Sequence, residues 1–220
     1  AVGGGRYVAG NRDGVIVQPA AGVDTNWPLS TPAGPPDNDI RNLNIDGNRI
    51  WANTVSFGIG RLEGETWRTY PPTLCSGNGC DSTFWGPQNA WALLVDRTGQ
   101  KWFGTWENAI DQFDDRNRAL PPVVTHHRVN DVLGIPAHTR AWASAADSNG
   151  GRWFGMDTPS LGAIEPIGIE YYDATGKYQG NVRSGLYPQM RGNKVHGLTV
   201  DKTGTLWFGL TGQGIGRMAV

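Results

Sequence analysis

Asp201-Lys202-Thr203-Gly204-Thr205-Leu206-Trp207-Phe208-Gly209 is a phrase that this chain repeats. Asp96-Arg97-Thr98-Gly99-Gln100-Lys101-Trp102-Phe103-Gly104 has the same grammar, as does Asp147-Ser148-Asn149-Gly150-Gly151-Arg152-Trp153-Phe154-Gly155. A worn version stands at Asp46-Gly47-Asn48-Arg49-Ile50-Trp51-Ala52. The four tryptophans, Trp51, Trp102, Trp153 and Trp207, are spaced 51, 51 and 54 residues apart. A fixed period of that size marks a repeat architecture.

Each copy begins with an apolar run, such as Trp91 to Val95, Trp142 to Ala146 or Val195 to Val200. An Asp-x-x-Gly turn follows, in which Asp can bond its own backbone and Gly can take a positive φ. The run around Trp-Phe favours strand. A loop then leads to a third run, as at Gly58 to Glu63, Ala109 to Phe113, Gly168 to Tyr172 and Gly214 to Val220. A fourth, polar-aromatic segment closes most copies, as at Thr66 to Tyr70. No helical periodicity longer than two turns competes with this reading. Four short strands per unit make one propeller blade, and a lone blade must stack on neighbours to bury both faces. The expected fold is all-β: a β-propeller of four-stranded antiparallel blades with five blades seen, the first and last incomplete.

The repeat resembles that of the two-component regulator propellers and, more loosely, other propellers with the same turn, such as the streptogramin lyases. The resemblance runs from about Arg6 to the end of the chain. It implies a propeller and, from the regulators, a sensory role. From the lyases it implies metal-dependent chemistry through histidines at the central funnel. Fold alone does not fix function.

Composition narrows the classes. Glycine is 32 and proline 14 of 220 residues without a three-residue period, which suits a turn-rich β protein and excludes collagen. Net charge is -1 and only 18% of residues are charged, so nothing points to a nucleic-acid partner or a basic membrane face. No apolar stretch approaches the length of a membrane-spanning helix. The chain begins at Ala1 and reads as mature, processed or excised. Cys75 and Cys80 enclose Ser76-Gly77-Asn78-Gly79 in a Gly- and Pro-rich connection. A disulfide is expected there, which places the protein in the periplasm or outside the cell. Two thiols with no adjacent His make a poor metal site.

The blades are expected at about 1–35, 40–72, 89–128, 140–185 and 194–220 within one propeller domain. No first strand is expected before Arg6, since the residues there are mostly glycine, and no fourth strand after Val220. Asp46-Gly47-Asn48 should form a tight hairpin. With three strands at each end, either two incomplete blades lie side by side in a five-bladed ring, or the missing strands lie elsewhere. The second alternative is favoured: a piece of a larger ring, or a ring shared with a second polypeptide. Open strand edges invite partner strands.

Aligning the first strands on their Asp puts Arg41, Trp91, Trp142 and His196 at one equivalent position, five residues upstream. Alternation puts Leu43, Leu93, Ser144 and Leu198 on the same side, one step further along. The loops after the second strands open at the same end. They bring Asn11-Arg12-Asp13, Asn53-Thr54, Thr105-Trp106-Glu107-Asn108, Asp157-Thr158 and Thr211 to Gln213. Indole faces with amides and charges beside them suit a saccharide or aromatic ligand. The ligand-binding candidates are therefore Arg12, Arg41, Asn53, Trp91, Trp106 and Trp142. Trp102, Trp153 and Trp207 are expected to pack the blades. His196 is the candidate acid or base, because imidazole titrates near neutrality, with Glu107 or Asp157 as its partner. Only one histidine falls at the funnel; His126, His127 and His138 lie elsewhere, which argues against the lyase pattern. The Asp-x-x-Gly turns lack the dense oxygen run of a calcium loop. No metal site is expected, and no cofactor is indicated.

Three readings follow. The first is an extracytoplasmic ligand-binding or sensory propeller recognising a saccharide or a partner protein. The second is a metal-assisted lyase or hydrolase acting in the funnel. The third is a structural subunit that completes a propeller with another chain. A second carboxylate or histidine close to His196 would favour the enzyme.

Overall fold

The structure is a computed structural model that describes residues 2–3, 6–11, 14–18, 25–27, 34–37, 39–55, 57–70, 90–105, 109–117, 122–128, 140–157 and 168–220. Among these there is no helix, and therefore none long and apolar enough to cross a membrane. Strands β1 (Val2–Gly3), β2 (Arg6–Asn11), β3 (Gly14–Gln18) and β4 (Thr25–Trp27) form the first sheet in chain order. The second has β5 (Ile40–Asp46), β6 (Arg49–Thr54), β7 (Ile59–Glu63) and β8 (Thr66–Tyr70). The third has β9 (Ala90–Val95), β10 (Lys101–Thr105), β11 (Ala109–Asp114) and β12 (Val123–Arg128). The fourth has β13 (Arg140–Ala146), β14 (Arg152–Asp157), β15 (Ile169–Tyr172) and β16 (Tyr178–Val182). The last has three strands among the described residues: β17 (Val195–Val200), β18 (Thr205–Leu210) and β19 (Gly214–Ala219). Every pairing recorded is antiparallel between successive strands. This is the blade pattern of a β-propeller.

One expectation is corrected. The sequence places no strand before Arg6, but Val2–Gly3 pairs with β2 in the register Val2↔Tyr7 and Gly3↔Arg6. Glycine is a poor strand former, yet two residues suffice to cap the edge of a hairpin already built by β2 and β3.

The repeated phrase explains itself in the turns. Asp201 Oδ1 accepts from the Thr203 N–H at 2.8 Å and the Thr205 N–H at 3.0 Å, while its Oδ2 accepts from the Trp207 indole N–H at 2.7 Å. Asp147 does the same with Asn149, Gly151 and the Trp153 indole. One carboxylate thus shapes the turn and holds the tryptophan six residues on. The turn glycines Gly99, Gly150 and Gly204 have φ of 80°, 87° and 79°, a region that penalises any side chain. The second sheet uses the tight hairpin instead, with Asp46 opposite Arg49 and Gly47 at φ 61°.

The chain divides into two compact units, one of residues 1–95, 99–103 and 111–125, the other of residues 96–98, 104–110 and 126–220. In the first unit Trp51 is fully buried, stacks on Tyr70 at 5.7 Å between ring centres and meets Phe113 edge-on at 5.6 Å. Ile59, Leu93, Phe103 and Val124 complete that core. Beside it lies a buried ion cluster. Lys101, 1% exposed, donates to Asp115 at 2.6 Å, Asp46 at 2.8 Å and the Gly99 carbonyl at 2.7 Å. All three ammonium protons are used, which a buried charge requires. Arg61 joins through Asp115 at 2.8 Å.

In the second unit Ile169, Val195, Leu206, Phe208 and Met190 form the core, and Trp153 stacks on Tyr171 at 4.1 Å. Arg152 reaches Asp96 with two nitrogens, at 3.0 and 2.7 Å. Lys101 and Arg152 occupy the same place in the repeat, just before the tryptophan, and each reaches the turn Asp of the preceding repeat. The sequence alone gives no sign of this clasp. In the last sheet the equivalent residue is Leu206, which enters the apolar core instead.

Candidate functional site

The site is built on a β-bulge. In the second sheet the register between β5 and β6 shifts between Ile40 and Asn42, leaving Arg41 as the extra residue. The shift between β13 and β14 falls at Ala141/Ala143 and leaves out Trp142. The shift between β17 and β18 falls at Val195/Gly197 and leaves out His196. Three residues that the sequence aligns at one position are thus the bulged residues of their strands. A bulge re-aims its side chain and breaks the plain alternation expected from the sequence. The further expectation for Leu43, Leu93 and Leu198 resolves into packing, since all three lie in or against apolar clusters.

Within the second unit, the Trp142 and His196 rings stack at 4.5 Å with 26° between their planes. Asp157, at the end of β14, places Oδ2 3.0 Å from His196 Nε2. A carboxylate only accepts, so Nε2 carries the proton and donates it to this bond. Nδ1 then accepts from the Thr211 hydroxyl at 3.1 Å. Both imidazole nitrogens are engaged and one ring face lies on an indole. Lys194 Nζ stands 3.5 Å from Asp157 Oδ1, and Arg140 faces Asp157 across the strand pair. Asp157 itself is buried, whereas His196 and Lys194 are exposed.

Within the first unit the same strand end pairs Arg41 with Trp91, the guanidinium lying 4.3 Å from the centre of the indole ring. Arg41 also donates to Asp39 at 2.8 Å. The Val55 N–H bonds the Asp39 carbonyl at 3.3 Å, which ties the loop after β6 to this end. That loop presents Phe57, 59% exposed, a candidate that the sequence reading passed over. Asn53 does not join the open surface. It is fully buried and neither amide atom has a hydrogen-bond partner. It stands where the other repeats carry the glycine of Trp-Phe-Gly.

Of the remaining candidates, Arg12, Trp106, Glu107, Cys75 and Cys80 lie outside the described residues. Trp102 is fully buried and Trp153 nearly so, as expected for packing residues. Among the described residues no group of three or more His, Cys, Asp or Glu side chains is placed to hold a metal ion. His196 and Asp157 would offer one histidine and one carboxylate, already bonded to each other.

No family model matches the chain, and no curated protein matches it. Solved structures do. The extracellular domain of BT4673 of B. thetaiotaomicron, described as a hybrid two-component system, matches 97% of this chain over 26% of its own, at 19% identity and a TM-score of 0.69. The chain has its fold. The corresponding domain of BT3049 from the same organism matches 97% of this chain over 25% of its own, at 16% identity and a TM-score of 0.65. XC5397 of Xanthomonas campestris, described as a gluconolactonase, matches 92% over 65% at 14% identity and a TM-score of 0.58. The chain therefore spans about a quarter of the length of the two-component domains it matches. The propeller read from the repeat and the propeller found by comparison agree.

Proposed function

We propose that this chain is part of an extracytoplasmic sensory propeller and that it binds a saccharide on the surface around Trp142 and His196 in its second unit. One observation carries the reading: two bulges of the second unit present ring faces and charged groups together, Trp142 against His196 with Asp157 and Lys194 beside them. Sugars bury their C–H faces on indoles while hydroxyls take hydrogen bonds from fixed polar groups. The likeness to extracellular domains of two-component systems supports the sensory role and the compartment.

The His196–Asp157 contact favours a second reading, catalysis by a histidine–carboxylate pair. In that reading Nδ1, which accepts from the Thr211 hydroxyl, is the nitrogen that takes a proton, and Asp157 orients the ring through Nε2. It ranks below binding because the likeness to extracellular domains of two-component systems supports a sensor. The clamped ring also holds a flat surface in place against Trp142.

The test is a glycan array probed with the purified chain, followed by calorimetry on the glycan it retains best. Trp142→Ala should weaken binding about tenfold or more, the scale expected for losing an aromatic platform. Wild-type affinity in Trp142→Ala, or an array with no retained glycan, would overturn the reading. Release of a smaller product from the bound glycan, lost in His196→Ala, would install the enzyme reading instead.

A further inference from the structure

The connection from β16 to β17, residues 183–194, contributes nothing to the site as the sequence reads it. Register places it there nonetheless. Val182 at the end of β16 lies opposite Ile169, Ile169 opposite Gly155, and Asp157 opposite Arg140. The connection therefore leaves the fourth sheet at the end that carries Trp142 and Asp157, and it runs directly into Lys194 and His196.

It is a built loop. The Leu186 and Tyr187 amides both donate to the Arg183 carbonyl, at 3.0 and 2.8 Å, and the Met190 amide donates to the Tyr187 carbonyl at 2.8 Å. Its two ends are tied together, since Asn193 accepts from the Ser184 amide and donates to the Ser184 hydroxyl, each at 2.7 Å. Met190 is buried in the apolar core and anchors the loop from below. On the far side, a methyl group added to Gly192 would lie 3.2 Å from Gln213, in the turn that also carries Thr211. The Thr211 amide donates to the Lys194 carbonyl at 3.0 Å. The wall is thus continuous, from the loop through Thr211 to His196. Yet its tip exposes two large apolar side chains, Leu186 at 57% and Tyr187 at 46%. A loop fixed by five hydrogen bonds and a buried anchor holds these two side chains in water, on the wall that leads to His196.

We infer that Leu186 and Tyr187 form a second, outer subsite of the saccharide surface, so that the ligand is an oligomer with one ring at Trp142–His196 and a later ring on Tyr187. This rests on the saccharide reading of the Trp142 site. Tyrosine suits the role: its ring offers a rigid apolar face at low entropic cost, and its hydroxyl offers a donor and an acceptor.

The test uses the glycan best retained on the array, cut and size-fractionated into fragments of one to six sugar units, titrated into the chain by calorimetry. Affinity should rise at least tenfold as the fragment lengthens from one unit to the length that reaches the outer subsite, and then level off. Tyr187→Ala should abolish that rise and leave the affinity of the single unit unchanged, while Tyr187→Phe keeps most of it. Trp142→Ala should weaken every length. A length series that is flat in the wild type, or unchanged in Tyr187→Ala, overturns the outer subsite and leaves the inner site standing. No binding at any length overturns the saccharide reading and this inference with it. A wild-type dimer in sedimentation that Tyr187→Ala turns into a monomer makes the tip a protein interface and overturns the subsite.

Discussion

Glu170 is the residue whose surroundings its sequence neighbours conceal. In the sequence it is a polar position within the third-strand run Ile169-Glu170-Tyr171-Tyr172-Asp173. In the structure it is fully buried. One oxygen accepts from the Tyr172 hydroxyl at 3.3 Å; the other has no hydrogen-bond partner. Burial pushes its carboxyl up to about 8, against the smaller opposing pull of the Tyr172 bond. The carboxylate in turn raises Tyr178, itself chiefly desolvated, to about 12. The sign of the linkage follows. The folded chain holds a proton on Glu170 that the unfolded chain releases at its ordinary value of 4.5. Stability contributed by the protonated form is therefore complete below that value and is lost as pH rises towards about 8. The limiting slope for one such group is about 1.4 kcal/mol per pH unit. Glu170→Gln keeps the shape and removes the titration. Urea unfolding of both proteins across this window should show the wild-type midpoint falling as pH rises, and a shallower fall in Glu170→Gln. Parallel slopes in the two proteins would show that other groups set the pH dependence.

At the scale of elements, the clasp between successive repeats offers the sharper test. Asp96 and Arg152 have side-chain exposures of 2% and 3% and meet at 2.7 Å. Removing the cation leaves a buried carboxylate, a loss of about 3–5 kcal/mol for such pairs. Arg152→Leu should therefore destabilise by that order, although Leu206 sits at the same place in the next repeat without penalty. In an Asp96→Asn background the same change should cost markedly less, because no buried charge is left behind. Equal costs in both backgrounds, read from urea midpoints, would show that Arg152 acts through its packing and its bond to the Asp173 carbonyl and not through the Asp96 charge. These elements also show what the sequence discloses. The period, the Asp-x-x-Gly turns and the tight hairpin at Gly47-Asn48 follow from local chemistry, and the structure has them. Alignment on the turn Asp brings Arg41, Trp91, Trp142 and His196 into register, and two of the pairings it implies are contacts. The bulge has no local signature: it is a disagreement in count between two strands, visible only once both are paired. The Arg152–Asp96 bond spans 56 positions and needs neighbouring repeats to be stacked before it can be seen. The Leu186–Tyr187 tip looks like an ordinary loop until Met190 and Asn193 are found to fix it.

For the molecule as a whole, a chain of repeats derives its stability from each unit and from nearest-neighbour contacts, so damage can stay local. The two compact units have separate apolar cores, which makes locality measurable. The most discriminating position is Gly155, where the fourth and last sheets of the second unit approach. A Cβ there would lie 2.7 Å from Val195 Cγ1 and 2.8 Å from the Val195 carbonyl oxygen. The carbonyl belongs to backbone and cannot swing aside, so a side chain forces β14 and β17 apart. At Gly155 the glycine of Trp-Phe-Gly is thus a requirement of sheet-to-sheet approach, whereas at Gly209 a Cβ would meet nothing closer than 3.9 Å, and the turn glycine is a requirement of φ. Where the second sheet has Asn53 in that place, the facing strand begins with Ala90, a smaller residue than Val195. Gly155→Val should accordingly detach the last sheet. By hydrogen exchange, amides of β17, β18 and β19 should exchange at least about tenfold faster than in the wild type, as expected when a cooperative unit opens below the global free energy. Amides of β5 to β8, in the other unit, should keep their wild-type rates. Equal loss of protection in both units would mean that the chain unfolds as one cooperative body, and that its repeats are coupled more tightly than nearest-neighbour contacts allow.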